Sequence, residues 1–571
     1  MTTTLAARSQ SSNWEQQFKT VSDAYLDGVY FRYQPTQGTS AGYHQYDTQL
    51  EDFSQQSIDA EIASLQSFEQ RVSAIPAAEL DLTTRGDRDI VLGSIRSRLL
   101  TLQTIRLWQK DPDIYPSTAA NAAFTIMERK FASHDDRLRS LIAREKLMPA
   151  LFAAARANLA NPPRIFTEIA IEQLPGTISF FQRDVPRAFS DAKDPALKSE
   201  FAQTNARVVA ELNEYLSWLN SDLLPRSNGD FRIGAAVFAK KLQYDEMVDL
   251  PLDKLLEIGR ADLRRNQQHF NQLAKELEPS KDPRAVLEEL GADHPAPGQL
   301  LDAFRATFNS LDAFIRSHHI VTIPSDVRPI VQETPPFMRA TTFASMDTPG
   351  PYEKNATEAY FNVTLPDPSM TPAQVESYMH AFNAGTVIST AVHEAYPGHY
   401  VQFLWVPQAP SRVRKLLGAN TNAEGWAHYC EQMMLDEGYG QPGVGAKSER
   451  ESKFLRLGQL QDALLRDARF IVGIQMHTGS MSFDQAVDFF QREGYQSRES
   501  ALVETKRGAG DPTYLYYTLG KLEILKLRAD LEKKQGAAFS LEEFHNNFLR
   551  QGFPPIKIVR EALLGDDSPA L

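Results

Sequence analysis

The sequence predicts a mainly α-helical protein with two helical lobes and a small β element between them. Three observations support this fold class. Apolar side chains recur every three or four residues, capping-box helix starts appear in the C-terminal part, and prolines concentrate between residues 321 and 370. We therefore divide the chain into a helical N-terminal lobe (1–320), a proline-rich segment with short strands (321–370) and a helical C-terminal region (371–571). One continuous domain is the alternative.

Amphipathic helices are expected throughout the N-terminal lobe, because its apolar residues follow helical spacing. No fixed-period repeat is visible, which argues against a solenoid. Clear examples of the spacing are Ile58, Ile62, Leu65, Phe68 and Val72; Ile95, Leu99 and Leu102; Phe201, Val208, Leu212, Tyr215 and Leu219; and Leu252, Leu255, Leu263, Phe270 and Leu273.

The composition changes at Val321. Eight prolines follow before Met370, and two short runs between them, Arg328–Gln332 and Tyr360–Leu365, are typical of strands or extended segments. Helix is expected to resume at Thr371-Pro-Ala-Gln374, which combines a capping box with proline at the first helical position. Further helix starts are predicted at Ser482 and Ser540, so the last 200 residues are also expected to be mostly helical.

Composition excludes several classes of function. A formal net charge of −13 argues against general binding to nucleic acid or to anionic membranes, which both require basic surface. A single cysteine, Cys430, excludes an intramolecular disulfide and a cysteine-rich zinc cluster, so a metal site must use histidines and carboxylates. Residues 1–14 are polar and no apolar stretch approaches about 18 residues, which predicts a cytoplasmic location. A mature exported form that has lost its leader is the alternative.

The segment Ala391-Val-His-Glu-Ala-Tyr-Pro-Gly-His-Tyr400 carries the clearest chemical signal. It resembles the zinc motif H-E-x-x-H, in which both histidines bind the metal and the glutamate is the general base. On an unbroken helix His393 and His399 would lie roughly 240° apart around the helix axis, so they could not bind the same ion. Pro397 and Gly398 favour a break between them. We therefore expect the chain to turn there and bring the two imidazoles together, with Glu394 beside them.

The motif is also similar to a family signature. His-Glu-Ala-Tyr-Pro-Gly-His, followed by Glu424-Gly-Trp-Ala427 and then Glu431, resembles the H-E-x-x-P-G-H and E-G-W-A-x-Y-x-E signatures of the bacterial DUF885 proteins. These proteins look like relatives of the gluzincin metallopeptidases. The resemblance implies a helical metallopeptidase-like fold, one zinc ion or another divalent metal, and hydrolysis of peptide-like bonds. It also implies that Glu424 is the third metal ligand.

Three residues of the predicted helix that begins near Glu424 lie on one face of that helix. Glu424, His428 and Glu431 are spaced at i, i+4 and i+7. Glu431 would orient a ligand imidazole. His428 departs from the family pattern, which has an aliphatic residue there. It is either a further supporting partner, a substitute ligand or a histidine that simply packs on the helix.

The segment Arg507–Lys521 resembles the R-x(4)-P…S-Y-x-x-G stretch of the family, shortened by one residue after the proline. The resemblance favours Tyr517 as the group that stabilises charge on the substrate carbonyl oxygen, with Tyr514 and Tyr516 as alternatives. Arg507 would hold a substrate carboxylate. His477 matches a family histidine and is a candidate for substrate contact. In the gluzincins an edge strand pairs with the substrate backbone, and Tyr360–Leu365, which includes Asn362, is the candidate strand. A small structural hairpin or connector is the alternative for this segment.

The favoured function is zinc-dependent hydrolysis of peptide bonds in short peptides, with Glu394 as general base acting on an activated water. One alternative is a metal-dependent hydrolase of an amide or ester bond in a non-peptide or conjugated small molecule. The other is a catalytically inactive binding protein of the same fold. Retention of His393, Glu394, His399 and Glu424 together argues against the inactive alternative.

Overall fold

The computed structural model describes residues 2–339 and 342–571, with side chains from residue 13 onward. It confirms a mainly helical fold. The helices that precede the sheet are α1 (Thr2–Tyr25), α2 (Phe31–Tyr33), α3 (Pro35–Ser40), α4 (Gln55–Ser73), α5 (Leu82–Leu100), α6 (Leu107–Lys110), α7 (Ile114–Glu128), α8 (His134–Asn158), α9 (Arg164–Ser179), α10 (Val185–Ala188), α11 (Pro195–Trp218), α12 (Leu224–Arg226), α13 (Ala235–Glu246), α14 (Leu252–Leu277), α15 (Pro283–Ala292) and α16 (Leu300–Ser317).

Helices also fill most of the chain after the proline-rich segment. They are α17 (Pro372–Met379), α18 (Ala384–Glu394), α19 (His399–Trp405), α20 (Arg412–Leu416), α21 (Asn420–Asp436), α22 (Glu449–His477), α23 (Phe483–Arg492), α24 (Arg498–Gly510), α25 (Tyr516–Gln535), α26 (Leu541–Leu549) and α27 (Ile556–Leu564). Within the described residues, no helix is both long enough and apolar enough to cross a membrane.

The segments with helical spacing of apolar residues form helices that bury one apolar side. In α14, for example, Leu255, Leu263 and Phe270 are buried along one side. The two capping boxes are also confirmed, because the hydroxyls of Thr371 and Ser482 accept backbone N–H groups at the starts of α17 and α23 while the glutamines three residues later bond back.

The proline-rich segment forms a three-stranded sheet from β1 (Ile330–Glu333), β2 (Ala344–Asp347) and β3 (Tyr360–Val363). Strand β3 lies in the middle, parallel to β1 and antiparallel to β2. The prediction that Tyr360–Leu365 is an edge strand is therefore wrong. Tyr360 and Asn362 are buried, and their backbone is already paired on both sides. Strands β1 and β2 are the two edges of this sheet. A second, minimal sheet joins β4 (Gln441–Pro442) to β5 (Gly445–Ala446).

Contacts cross the predicted boundaries at residues 320 and 371. The largest apolar cluster combines residues of α16, β3, α18, α21 and α25 to α27. A second cluster packs α1, α4 and α5 against Val413, Leu417 and Ile558. Between these regions Arg414 donates to Asp87 in a buried ion pair at 2.7 Å. The N-terminal helices and the C-terminal region thus share apolar and charged contacts.

Helices α21 and α25 approach each other closely because glycines face each other across the contact. A Cβ atom added to Gly425 would lie 2.6 Å from the Cα of Gly520, and one added to Gly520 would lie 1.9 Å from the carbonyl oxygen of Thr421. Neither position has room for a side chain. The contact fixes the position of α21, the helix that carries Glu424.

We predict that Gly520→Ala destabilises the protein. Alanine normally favours a helix over glycine by about 1 kcal/mol, but overpacking of this kind costs about 1–3 kcal/mol and must also move the backbone of Thr421. The midpoint of urea unfolding should fall. Gly28→Ala is the matched control, because a Cβ there has no neighbour within 4 Å among the described residues. A fall of the same size in both variants would contradict the close helix contact.

Candidate metal centre

The chain reverses between α18 and α19, as the Pro397-Gly398 pair predicts. Helix α18 ends at Glu394, the Tyr396–Pro397 peptide is cis, and α19 begins at His399. The N–H of Gly398 donates to the carbonyl of Val392 at 2.9 Å. A Cβ on Gly398 would lie 1.8 Å from the carbonyl oxygen of His393, so only glycine fits here. The reversal returns the chain to the helix turn that carries His393.

The reversal brings the two imidazoles together. The rings of His393 and His399 are 4.8 Å apart between centroids and nearly perpendicular. Both Nε2 atoms lie 3.3 Å from Oε2 of Glu424, which α21 supplies. One ligand atom from each of the three side chains lies within 4.8 Å of the others. Two nitrogens and one carboxylate oxygen therefore surround a common point, which is the donor set of a catalytic zinc site.

The surroundings of these atoms fit a cation. Nδ1 of His393 lies 2.7 Å from Oε1 of Glu431 and donates to it, which leaves the Nε2 lone pair facing Glu424. A lone pair against a carboxylate is unfavourable unless a proton or a metal cation lies between them. Without a metal the proton takes this place, because burial is outweighed by the hydrogen bonds with Glu424 and Glu431, which raise the pKa of His393 to about 9. Oε2 of Glu424 is buried and has no hydrogen-bond partner within the described residues. Burial opposes ionisation of Glu424, but His399 and His393 outweigh it and hold the pKa of this carboxyl below its usual range.

Glu431 is held behind His393 by further polar contacts. Oε1 of Glu431 lies 3.0 Å from Arg466, and Nδ1 of His428 contacts its Oε2 at 3.1 Å. Burial works against charge on Glu431, yet Arg466 and His428 keep its pKa low. His428 is completely buried, and burial lowers its own pKa to about 3. The structure thus places His428 beside Glu431 and outside the ligand group.

Glu394 lies next to the ligands and faces the same cavity. Burial raises the pKa of this carboxyl above its usual value. Its Oε2 is buried and, across residues 2–339 and 342–571, finds no hydrogen-bond partner. This oxygen is therefore free to accept a hydrogen bond from, or donate one to, a group bound in the cavity.

Of the three C-terminal tyrosines, the structure brings Tyr517 to the site. Its ring stacks on His393 with centroids 6.2 Å apart, and its hydroxyl accepts a hydrogen bond from Arg507 at 2.8 Å. Tyr514 is fully buried beneath Gly473 and Gly508, and Tyr516 donates to Asp511 at 2.7 Å. Neither of these two lines the cavity.

The structure does not bring His477 to the site. Its Nε2 lies 2.7 Å from the carbonyl oxygen of Gly508, and its ring packs on Phe231 in the protein core. The family match therefore reflects a packing position at the end of α22. The candidate role of His477 in substrate contact finds no geometric support.

Helix α22 contributes charged residues that sequence reasoning missed. Arg466 and Asp462 line the cavity, and Arg469 forms a two-point ion pair with Glu504 at 2.6 and 2.8 Å. The available signal was the group Arg466-Asp-Ala-Arg469, which interrupts the otherwise apolar stretch 463–474, because charges are rarely buried without a functional or structural partner.

The ligands lie in a cavity of about 1030 Å³. Residues 342–346, which include most of β2, form one wall, and α22 and α24 form another. A smaller cavity of about 580 Å³ continues past Phe403, Asn420 and Ala423, which border both spaces. Neither Tyr360 nor Asn362 lines either cavity.

Comparison with known proteins places this architecture in a family. The profile described as "Bacterial protein of unknown function (DUF885)" matches residues 35–563. The chain belongs to the DUF885 family. No curated protein matches it.

Two solved structures resemble this DUF885 protein along almost the whole chain. One is titled "putative lipoprotein of unknown function" from Shewanella oneidensis, with 28% identity, a TM-score of 0.77, and coverage of 96% of this chain and 99% of the other. The second is titled "putative lipoprotein" from Colwellia psychrerythraea, with 18% identity, a TM-score of 0.80, and coverage of 97% and 99%. The second likeness supports the fold alone.

We predict that Glu431→Gln weakens zinc binding about 10–100-fold, because it removes the charge that orients His393 and raises its basicity. Zinc affinity should be measured by competition with a chelator of known affinity. Asp436→Asn, at the exposed end of the same helix, is the control and should bind zinc as the wild type does. Equal affinity in all three proteins would mean that Glu431 does not support a metal ligand.

Proposed function

We propose that this DUF885 protein is a gluzincin-like, zinc-dependent hydrolase that cleaves peptide bonds in short peptides. The observation that carries the proposal is the convergence of His393, His399 and Glu424 beside an unsatisfied, buried Glu394. The position of these residues inside a cavity favours short or unfolded chains, since a folded protein could not reach them.

Each residue of the site would have a separate role in the reaction. A zinc ion held by the three ligands would polarise the scissile carbonyl and make water a stronger nucleophile. Glu394 would take a proton from the attacking water and pass it to the leaving amine, and its raised pKa suits both steps. The Tyr517 hydroxyl would donate a hydrogen bond to the carbonyl oxygen as negative charge builds there.

Two further features favour a peptide-like substrate. Strand β2 presents an open edge in the cavity wall, where an extended backbone can pair with it in place of the predicted Tyr360–Leu365 strand. Arg507 also lines the cavity, and no carboxylate of the described residues lies within 4.0 Å of it, whereas Arg466 and Arg469 are paired with Glu431 and Glu504. Arg507 is therefore available for an anionic group of the substrate.

The likeness to the Shewanella oneidensis protein also bears on location. That protein is titled a "putative lipoprotein", and lipoproteins are exported from the cytoplasm. We propose an exported location for this chain in place of the predicted cytoplasmic one, which fractionation of the producing cells would test.

We predict that Glu394→Gln retains the one tightly bound equivalent of zinc and loses turnover by about 10²–10⁴-fold or more, because the general base is removed while the ligands stay in place. Zinc should be measured by elemental analysis and turnover by mass spectrometry of a digested peptide library. Equal turnover in both proteins would remove Glu394 from the mechanism. A zinc-loaded wild type that cleaves no peptide would favour the alternative amide or ester substrate.

We predict that Tyr517 and Arg507 affect different kinetic constants. Tyr517→Phe should lower kcat about 10²–10³-fold, because its hydrogen bond strengthens in the transition state. Arg507→Gln should raise KM for peptides with a free carboxylate and leave their amidated counterparts unaffected. The measurement is steady-state kinetics on matched carboxylate and amide peptides.

Tyr516→Phe is the control for both variants, because its hydroxyl bonds to Asp511 away from the cavity. If Tyr516→Phe lowers kcat as far as Tyr517→Phe, the selective role of Tyr517 is wrong. If Arg507→Gln raises KM equally for both peptide forms, Arg507 does not recognise a carboxylate.

A further inference from the structure

We propose that a second transition-metal ion, such as Zn²⁺, binds at the rim of the cavity to His294, Glu376 and His380. His294 follows α15, Glu376 lies on α17, and His380 directly follows that helix. His380 also lines the cavity, together with Glu288 and Gly291. The inference does not depend on the proposed hydrolase function.

The rim group (His294, Glu376 and His380) has a geometry similar to that of the buried group (His393, His399 and Glu424). Oε1 of Glu376 lies 3.3 Å from Nε2 of His294 and 3.6 Å from Nε2 of His380. One ligand atom from each side chain lies within 4.8 Å of the others. Both groups thus present two imidazole nitrogens and one carboxylate oxygen to a common point.

The hydrogen bonds of the imidazoles leave a place for a cation. Nδ1 of His294 donates to the carbonyl of Pro295 at 2.9 Å, so a neutral His294 turns its Nε2 lone pair toward Glu376. The His380 ring is held less closely, since its Nδ1 lies 3.9 Å from Glu288, beyond hydrogen-bond distance, and its Nε2 lies 3.6 Å from Glu376. With the proton on Nδ1, the Nε2 lone pair of His380 faces the same carboxylate. A lone pair directed at a carboxylate needs a proton or a metal ion between the two atoms. Here one oxygen faces two such nitrogens, which suits a single shared ion.

The scaffold holds these side chains in position. Glu376 and His380 are four residues apart, so they project from the same side of α17. The His380 ring lies against Gly291, where a Cβ would come within 3.0 Å of its Nδ1. The loop that carries His294 is tied to the start of α18, because the N–H of Ala384 donates to the carbonyl of Asp293 at 3.2 Å.

The rim site should bind metal more weakly than the buried site. The Glu376 side chain is 62% exposed and that of His380 is 31% exposed, whereas no ligand of the buried group exceeds 24%. Exposure leaves the ligands more mobile and in competition with water. A bound ion would link α15 to α17 and so restrain two walls of the cavity mouth.

Calorimetric titration of the metal-free protein with Zn²⁺ at neutral pH tests the site. The wild type should take up two equivalents, the second more weakly. His294→Ala and His380→Ala should each lose the weaker equivalent and keep the tighter one. His319→Ala is the matched control, because His319 is an exposed histidine that pairs with a single carboxylate of the described residues, Glu542. This variant should still bind two equivalents.

The outcomes separate the two sites. His393→Ala should lose the tight equivalent and keep the weak one. If the buried group binds no zinc, the wild type should take up one equivalent and His294→Ala none, which leaves the rim proposal intact. A wild type whose weak equivalent survives in both His294→Ala and His380→Ala would overturn it, and so would a wild type that takes up a single equivalent that both of these variants keep.

Hydrogen exchange gives a readout that does not depend on stoichiometry. The second equivalent should slow exchange in residues 283–299 and 372–382 of the wild type and leave exchange unchanged in His380→Ala. Retention of the far-UV circular dichroism spectrum would show that the variant is folded. Equal slowing of hydrogen exchange in the wild type and in His380→Ala would contradict the rim site.

Discussion

The candidate metal centre depends on one close approach of the backbone to itself. Gly398 contacts the carbonyls of Val392 and His393, where no side chain fits, and this contact returns the chain within five residues of Glu394. Without the reversal, the six-residue spacing of the histidines would leave them on different sides of one helix. The glycine thus performs the positioning that a continuous helix performs in H-E-x-x-H.

The Gly398 contact sets the positions of the two histidines, and buried charged residues hold the imidazole of His393 in place. Glu431, His428 and Arg466 lie behind His393 with little access to water, and removing charge from water is costly unless each group is paired. Here Glu431 contacts His393, His428 and Arg466 together. Loss of one member would leave the others unsatisfied, so the cluster favours a single arrangement of the ligand imidazole.

Local signals in the sequence predicted local structure well. The capping boxes at Thr371 and Ser482 and the break at Gly398 follow from interactions within a few residues. The order of the strands in the sheet depends on residues far apart in the chain. The prediction of an edge strand at Tyr360–Leu365 is wrong because the same residue pattern also fits a central strand. Arg466 was missed for a similar reason, since its partner Glu431 is 35 positions away in the sequence and comes close only in the fold. Glu424 could be named only through resemblance to a family.

The two histidine–glutamate groups show why the same donors need not have the same role. In the buried group Glu431 lies 2.7 Å from the far nitrogen of His393, whereas at the rim Glu288 lies 3.9 Å from that of His380. A close, buried acceptor fixes the ring and makes its other nitrogen more basic, while a distant and exposed one does neither. Ligand identity alone would rank the two sites equally. If both proposals hold, the residues behind the ligands suit the buried site to catalysis and leave the rim suited to reversible binding.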